Sequence, residues 1–573
     1  MTEQSVRANS QAERGPNRIE GIKASVPGLD LVLGGGLPKY SFNLIAGDPG
    51  SGKTTLAQQI LFANATEEHP ALYFTVLGEP TLKMLRYQRE FGFFDPAKVG
   101  AAIQYINLSE EAIAKDVGRV LDRIVAEVER VKPGFVVVDS FRTLVNRSGE
   151  FAGGPTMEME HFVQRLALHL TTWEVTSFLL GEYTDRQQSN PVFTVADGVL
   201  WLSQVTDRNS VVRKMQAVKV RGRSPMPGLH TFRITSRGLE IFPRIPEQQT
   251  QRRPQALQRL GTGVPGLDEL MGGGVPSGDA LMLAGPAGSG KTTFATQFAA
   301  EGLRRDEAVI IVVFEEYPEE YLARAKARNQ DMDEAIARGK LKLIYLRPLD
   351  LSVDETLAEI RDAVHAIGAK RVIIDSLSGF EVALAPAFRE DFRESLYRLV
   401  GALTATGATL LMTTEIVGDF PLVRFTTEKV SFITDDIIVQ RFVEIDGSLR
   451  SVLAIHKMRG SEHSHDFRTY DIGPNGAVMG GPLRNYRGIT TGVPEVDLRL
   501  PRPTRVGLTI VETAVLDTLI RLGSASRELL AERAGLHAPE LDGVLHRLEG
   551  LGYAVVVSSE GNDAYRAVAH RGE

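Results

Sequence analysis

A long segment of this chain occurs twice. Gly47-Asp48-Pro49-Gly50-Ser51-Gly52-Lys53-Thr54 returns as Gly285-Pro286-Ala287-Gly288-Ser289-Gly290-Lys291-Thr292, 238 positions later. Ahead of it, Val26-Pro27-Gly28-Leu29-Asp30 returns as Val264-Pro265-Gly266-Leu267-Asp268, and three glycines follow each (Gly34 to Gly36, Gly272 to Gly274). Asp139 recurs as Asp375 after 236 positions and Arg221 as Arg459 after 238. A nearly constant offset from one end of the segment to the other points to a duplicated domain, so the sequence must specify one fold twice. The boundaries read as a polar tail at 1–17, a first domain at 18–243, a Gln/Arg/Pro-rich linker at 244–259, a second domain at 260–490, a connector at 491–510 and a distinct C-terminal domain at 511–573. Thr491 to Asp497 partly echoes Thr262 to Asp268, but no glycine loop follows it.

Within each copy, β-rich apolar runs alternate with amphipathic helical stretches, which predicts an α/β fold with a mainly parallel sheet flanked by helices. Each glycine loop lies between an apolar run (Phe42 to Ala46, Ala280 to Ala284) and a helix-like run. That is the setting a phosphate-binding G-x-x-x-x-G-K-[ST] loop requires: glycines turn backbone N–H groups inward and the helix N-terminus adds its dipole. The expected nucleotide contacts are Gly50, Ser51, Gly52, Lys53, Thr54 and Thr55, and in the second copy Gly288, Ser289, Gly290, Lys291, Thr292 and Thr293. Lysine suits the β- and γ-phosphates, and the Thr54 and Thr292 hydroxyls suit Mg²⁺, so ATP with Mg²⁺ is the expected ligand pair.

Phe135 to Asp139 and Arg371 to Asp375 read as buried strands ending in a carboxylate. An isolated Asp there is most often a cap or turn residue. Placed twice downstream of a phosphate loop, each followed by Ser, Asp139 and Asp375 read instead as Walker B metal-orienting groups. Val312-Val313-Phe314-Glu315-Glu316 is a strand ending in paired acids, which gives Glu315 as the water-activating base and Glu316 as its support. In the first copy Gly78 stands opposite Glu315 and only Glu79 remains, so slower hydrolysis is expected there. Late in each copy, Lys219-Val220-Arg221-Gly222 and Lys457-Met458-Arg459-Gly460 put a lysine and an arginine on one strand face. A solvated edge is the plain reading, and a finger acting on a neighbouring subunit's γ-phosphate is the sharper one, favoured by the repetition.

With these parts assembled, residues 18–490 resemble a KaiC-type member of the RecA superfamily. The resemblance rests on both loops, the Glu-Glu strand end, Asp375-Ser376-Leu377-Ser378, Lys457-Met458-Arg459-Gly460-Ser461, and Ile433-Thr434-Asp435 followed by Val443-Glu444-Ile445. It implies two tandem RecA-like domains, a double-ring homohexamer with ATP at subunit interfaces, slow ATPase activity and autokinase/autophosphatase chemistry in the second ring. The family's phosphoacceptors are adjacent Ser and Thr just before Ile-Thr-Asp. Here Ser431 is retained while Phe432 replaces the Thr, so single-site phosphorylation at Ser431 is implied, with Thr426 or Thr427 as alternative acceptors. Hydroxyls that only line an interface strand are the plain alternative.

Beyond the repeat, three helices and a hairpin (Thr513 to Leu522, Ser526 to Ala534, Pro539 to Leu551, then Tyr553 to Val557 and Ala564 to Val568) describe a winged-helix-like α+β domain. From Glu512 onward ten carboxylates oppose six arginines and no lysine, a balance of −4, the wrong sign for neutralising phosphates. A signalling protein partner or self-association is therefore favoured over DNA. The whole chain carries −7 and no cysteine, which fits a reducing cytoplasm, and has no run of the ~18 apolar residues a membrane helix needs. A RecA- or helicase-like DNA motor and an ATP-gated scaffold remain as alternatives. The motor would show basic channel loops and DNA-stimulated turnover.

Overall fold

The computed structural model describes residues 20–76, 81–109, 117–140, 155–183, 191–207, 210–244, 258–346, 352–384, 392–416, 433–445, 447–483, 486–489, 495–496, 508–522, 525–559 and 562–567. The first copy builds a nine-stranded sheet from β1 (Phe42–Gly47), β2 (Ala71–Thr75), β3 (Ile103–Asn107), β4 (Phe135–Asp139), β5 (Thr176–Glu182), β6 (Gly198–Asp207), β7 (Ser210–Val220), β8 (His230–Thr235) and β9 (Gly238–Phe242). Their spatial order is β9-β8-β7-β6-β1-β5-β4-β2-β3. The strands from β6 through β3 run parallel, and β7 to β9 add an antiparallel meander. The loop-bearing strand β1 therefore lies in the middle of the sheet, where both neighbours screen it from water.

Its two faces are filled by alternate residues of the same strands, as a period of two demands. Phe135 and Val137 pack with Leu56, Ile60 and Leu61 of α1 (Lys53–Asn64). Val136 and Val138 pack on the other face with Leu121 and Ile124 of α2 (Val117–Val131) and with Phe162 and Leu166 of α3 (Pro155–Thr172). Each large side chain so buried contributes roughly 1.5–3 kcal/mol.

The second copy repeats this design strand for strand: β10 (Ala280–Gly285), β11 (Val309–Val313), β12 (Leu341–Tyr345), β13 (Arg371–Asp375), β14 (Thr409–Glu415), β15 (Asp436–Ile445), β16 (Ser448–Met458), β17 (Arg468–Gly473) and β18 (Gly476–Pro482). The order β18-β17-β16-β15-β10-β14-β13-β11-β12 is that of the first sheet. Leu281, Leu283, Ile311, Val313, Ile373 and Leu411 pack against Phe294, Ala295 and Phe298 of α4 (Lys291–Arg304). Arg371 opens β13 fully buried, with its Nε on Glu307 at 2.7 Å and one terminal nitrogen on the carbonyls of Gly261 (2.7 Å) and Phe298 (2.9 Å). Arg259, which composition assigns to the linker, instead forms a two-residue strand with Leu260. Its guanidinium donates to the carbonyls of Met271 and Gly274 and to Ser461 Oγ, each at 2.8 Å.

The C-terminal segment has a core of its own. Helices α5 (Ile510–Leu522), α6 (Arg527–Ala534) and α7 (Ala538–Gly550) enclose Leu516, Leu519, Leu530, Leu541, Leu545 and Leu548. Strands β19 (Ala525–Ser526), β20 (Ala554–Ser559) and β21 (Asn562–Ala567) form a sheet in the order β19-β21-β20. Ser526 caps α6, its hydroxyl accepting from the N–H of Leu529 at 3.4 Å, and Gly535 ends it in the left-handed region at φ 63°. Among the described residues no helix is long and apolar enough to cross a membrane.

Candidate active site

In the first copy the chain leaves β1 at Gly47 and enters α1 at Lys53 through Gly50 and Gly52, at φ 72° and 99°. A side chain at such angles is strained, and none could let the loop curl as tightly. No side chain caps α1, so its first N–H groups stay available to an anion. Ser51 Oγ is buried with no hydrogen-bond partner, which suits a loop that closes on phosphate oxygens. Lys53 is nearly buried, its ammonium held by the carbonyls of Gly47 (3.0 Å) and Asp48 (2.7 Å). Burial lowers its pKa, against the pull of Glu182, Asp139 and Asp48. Thr54 opens the helix one residue later and donates to Asp139 Oδ2 at 2.8 Å, joining the loop to the end of β4. Burial raises the Asp139 pKa, and hydrogen bonds from Tyr73 and Thr54 oppose it. Thr55 completes the first turn of α1.

The second copy has the same frame with different neighbours. Gly288 and Gly290 take φ 77° and 89°, and Lys291 donates to the carbonyls of Gly285 (2.9 Å) and Pro286 (2.8 Å). Its pKa is lowered by burial and supported by Glu415, Asp375 and Glu315, in that order. Ser289 donates to Gln440 Oε1 at 2.9 Å, while its carbonyl accepts from Tyr470 at 2.6 Å. Thr292 and the buried Thr293 lie in the first turn of α4. Asp375 accepts from Thr413 on β14 at 2.5 Å through Oδ1.

Glu315 and Glu316 follow β11 as the paired acids foretell. Glu315 lies over Gly379, so closely that a Cβ on that glycine would fall 2.8 Å from Oε1. It carries no hydrogen bond among the described residues, and its charge reaches Lys291. Glu316 is tied to Arg324 at 2.5 Å, and its pKa is raised by burial against that pairing. The two carboxylates are thus distinguished: one is free to act, the other is anchored.

Both Lys-x-Arg pairs occupy equivalent places. Lys219 donates to the carbonyl of Thr194 at 3.1 Å, and Arg221, just past β7, pairs with Asp197 at 3.0 Å. Lys457 donates to the Thr434 carbonyl at 2.6 Å, and Arg459 pairs with Asp435 at 3.3 Å. The two arginine side chains are 60% and 66% exposed, so each retains a face for another partner. Gly78, Glu79, Thr426, Thr427, Ser431 and Phe432 lie outside the described residues.

Four groups escape motif reading. Glu182 and Glu415 end the strands next to each loop strand, in register with Gly47 and Gly285, and are the acids that act most on Lys53 and Lys291. The signal was present as an acid closing an apolar run in both copies. Tyr73 and Thr413 reach Asp139 and Asp375 from neighbouring strands, and the alternation of a buried strand conceals both. In the first copy the donor set fits a small hard cation: the Thr54 hydroxyl and the Asp139 carboxylate meet beside the glycine loop, leaving the remaining ligands to phosphate oxygens and water.

Comparison with known proteins agrees with the tandem α/β fold. The sequence profile of the KaiC ATPase family matches residues 22–245 and again 260–483. The chain belongs to the KaiC family. Its similarity to the circadian clock oscillator protein KaiC of Picosynechococcus sp. is 29% identity over 492 residues, covering 83% of this chain and 92% of that protein. For the KaiC of Rippkaea orientalis the figures are 29% over 506 residues, covering 86% and 95%. The circadian clock protein KaiC3 of Synechocystis sp. is 27% identical over 490 residues, covering 83% and 95%. The second KaiC match stops at residue 483, so the core built by α5, α6 and α7 lies outside it.

Proposed function

We propose that this KaiC-family protein is a homohexameric signalling ATPase in which two ATP sites share a binding frame but differ in chemistry. The observation that carries the reading is the Glu315 carboxylate, which makes no hydrogen bond among the described residues and whose charge acts on Lys291, with Gly78 at its place in the first copy. Lys53 and Lys291 bind and orient the phosphates, and the loop glycines bring backbone N–H groups to them. Thr54 with Asp139, and Thr292 with Asp375, would hold Mg²⁺, which when bound neutralises phosphate charge. In the second copy Glu315 takes the proton of the attacking water as its oxygen approaches the γ-phosphorus, and Glu316, fixed by Arg324, supports it. The first site, with Glu79 as its remaining acid, retains ATP and turns it over slowly. Lys219, Arg221, Lys457 and Arg459 offer their exposed faces to the phosphates of a neighbouring subunit. Ser431 is the autophosphorylation site we favour, with Thr426 behind it.

The domain at 511–573 we read as winged-helix-like and protein-binding. Two of its arginines are already committed, Arg547 to the buried Glu512 at 3.1 Å and Arg527 to Asp542, which leaves little charge for a phosphate backbone. A cysteine-free ATPase of this kind fits the cytoplasm.

Glu315→Gln should cut ATP turnover by about 100-fold or more while ATP binding persists, the scale expected for a lost general base. Turnover near the wild-type rate would overturn the division of labour. In the wild type, γ-labelled ATP followed by peptide mapping should place label at Ser431, and a label-free peptide there removes the kinase reading.

A further inference from the structure

Ser51 and Ser289 occupy the same place in the two glycine loops, yet only Ser289 is tied by its side chain to the sheet. It is held from two strands. Its hydroxyl donates to Gln440 Oε1 of β15 at 2.9 Å, and its carbonyl accepts from the Tyr470 hydroxyl of β17 at 2.6 Å. Gln440 and Tyr470 are both buried, so water does not compete for either bond. Gln440 lies directly against the loop strand, where a Cβ on Gly285 would fall 2.8 Å from its own. The Tyr470 ring is set edge-on to Phe294 of α4, with centroids 5.3 Å apart.

The first copy keeps the backbone of this arrangement and loses both polar groups. At the offset of 238, Leu202 stands for Gln440 and Phe232 for Tyr470. The strand registers agree: Gly198 pairs with Asn43 as Asp436 does with Leu281, and His230 pairs with Met215 as Arg468 does with Leu453. Neither Leu202 nor Phe232 has a polar side-chain atom to offer, and Ser51 Oγ is buried without a hydrogen-bond partner. The difference is local. Further along α1 and α4, Gln59 and Gln297 make the same pair of bonds to the backbone of Leu239 and of Ala477.

A buried hydroxyl left unmet is a cost that a shift of the loop relieves, whereas a hydroxyl and a carbonyl already bonded to the sheet resist any shift. We propose that Gln440 and Tyr470 are positioning residues that fix the second glycine loop in its phosphate-binding shape before nucleotide arrives, while the first loop, lacking both, sets only as nucleotide binds. The inference rests on the reading that both loops bind ATP, and it deepens that reading. A braced loop has met its ordering cost in folding and presents the phosphates in one geometry. A loop that orders with its ligand turns occupancy into a change of its own dynamics, which suits a site that registers nucleotide rather than consuming it.

Hydrogen exchange of the full chain, read by mass spectrometry on peptides spanning 47–56 and 285–294, follows both loops at once. Without nucleotide, the protection factor of the second loop should exceed that of the first by about tenfold or more, the scale of two hydrogen bonds between neutral groups. A non-hydrolysable ATP analogue with magnesium should then protect the first loop strongly and add little to the second. Gln440→Leu with Tyr470→Phe, which copies the first site, should bring the nucleotide-free second loop to the first loop's level, and unchanged exchange across β13 certifies the fold of that copy. A double-mutant cycle separates a brace from packing: in a Ser289→Ala background, Gln440→Leu should have no further effect on the loop. Equal protection of the two wild-type loops without nucleotide, or a second loop unmoved by the paired change, overturns the proposal. Fully additive losses in the cycle overturn the role of Gln440. An analogue that protects neither loop overturns the reading that the loops take ATP, while the nucleotide-free comparison still decides whether the brace exists.

Discussion

Asp436 opens β15 with its side chain fully buried, and its Oδ2 has no hydrogen-bond partner. Burial, then the charges of Asp279 and Asp435, push its carboxyl up to about 7, while the backbone N–H of Arg459 and the charge of Arg259 pull the other way. A folded-state pKa above the unfolded value of ~3.9 means that the native state binds the extra proton, so stability falls as pH rises between those values and levels off above them. Asp436→Asn should flatten that decline. The stability difference between pH 5 and pH 8, read from urea unfolding, should shrink by roughly 2–3 kcal/mol at full effect. An undiminished pH slope would show that the carboxyl is not the source. At this scale the sequence discloses groups whose spacing is dictated by a ligand, such as Lys53, Thr54 and Asp139. It conceals groups whose role comes from a neighbouring strand. Tyr73 reads as one more large residue of a buried strand, and Asp436 as one more polar residue before an apolar run.

Among elements, β13 shows how one strand can be anchored by charge. Arg371 lies fully buried and Glu307 is only 11% exposed, so neither partner can be relieved by water if the other is removed. Glu307→Ala should therefore cost about 3–5 kcal/mol, read from urea unfolding, whereas Arg371→Met with Glu307→Ala should recover much of the loss. Loss of less than about 1 kcal/mol in the single variant would mean that water reaches the guanidinium. The first copy has Phe135 at this position, so the anchor is private to the second sheet. Sheet composition and helix positions were legible because period two and period 3.6 are properties of local sequence. Two-residue strands such as β19 were not, because two residues carry no period. Arg259 was misread for a related reason: Gln, Arg and Pro describe a linker, and only the carbonyls of Met271 and Gly274 show that the guanidinium is used inside the fold.

For the whole molecule, the duplicated frame carries the assembly prediction. Native mass measurement with ATP should give six subunits and up to two nucleotides per subunit, and Lys53→Ala with Lys291→Ala should weaken the assembly. A monomer that persists with saturating ATP would remove the trans-acting role of Arg221 and Arg459. The repeat offset itself made the tandem organisation readable without coordinates. The helices and sheet that follow residue 508 were readable only as elements, since charge disfavours a class of partner without naming one.

The lysine tethers have a bearing on how the two halves diverged. Lys53 is bound to two carbonyls of its own loop, and Lys291 is bound in the same way. Those carbonyls also accept from the N–H groups of Tyr183, Ser51, Ile416 and Ser289, so losing a lysine would take two charged hydrogen bonds from the loop without orphaning an acceptor. Glu315 has no such bond, and its counterpart could drift to Gly78 with little harm to the scaffold. Under the proposed division of labour, the chemistry of a half would be the first thing to decay after duplication and the capacity to bind the last, which would make such a site an available starting point for a sensor.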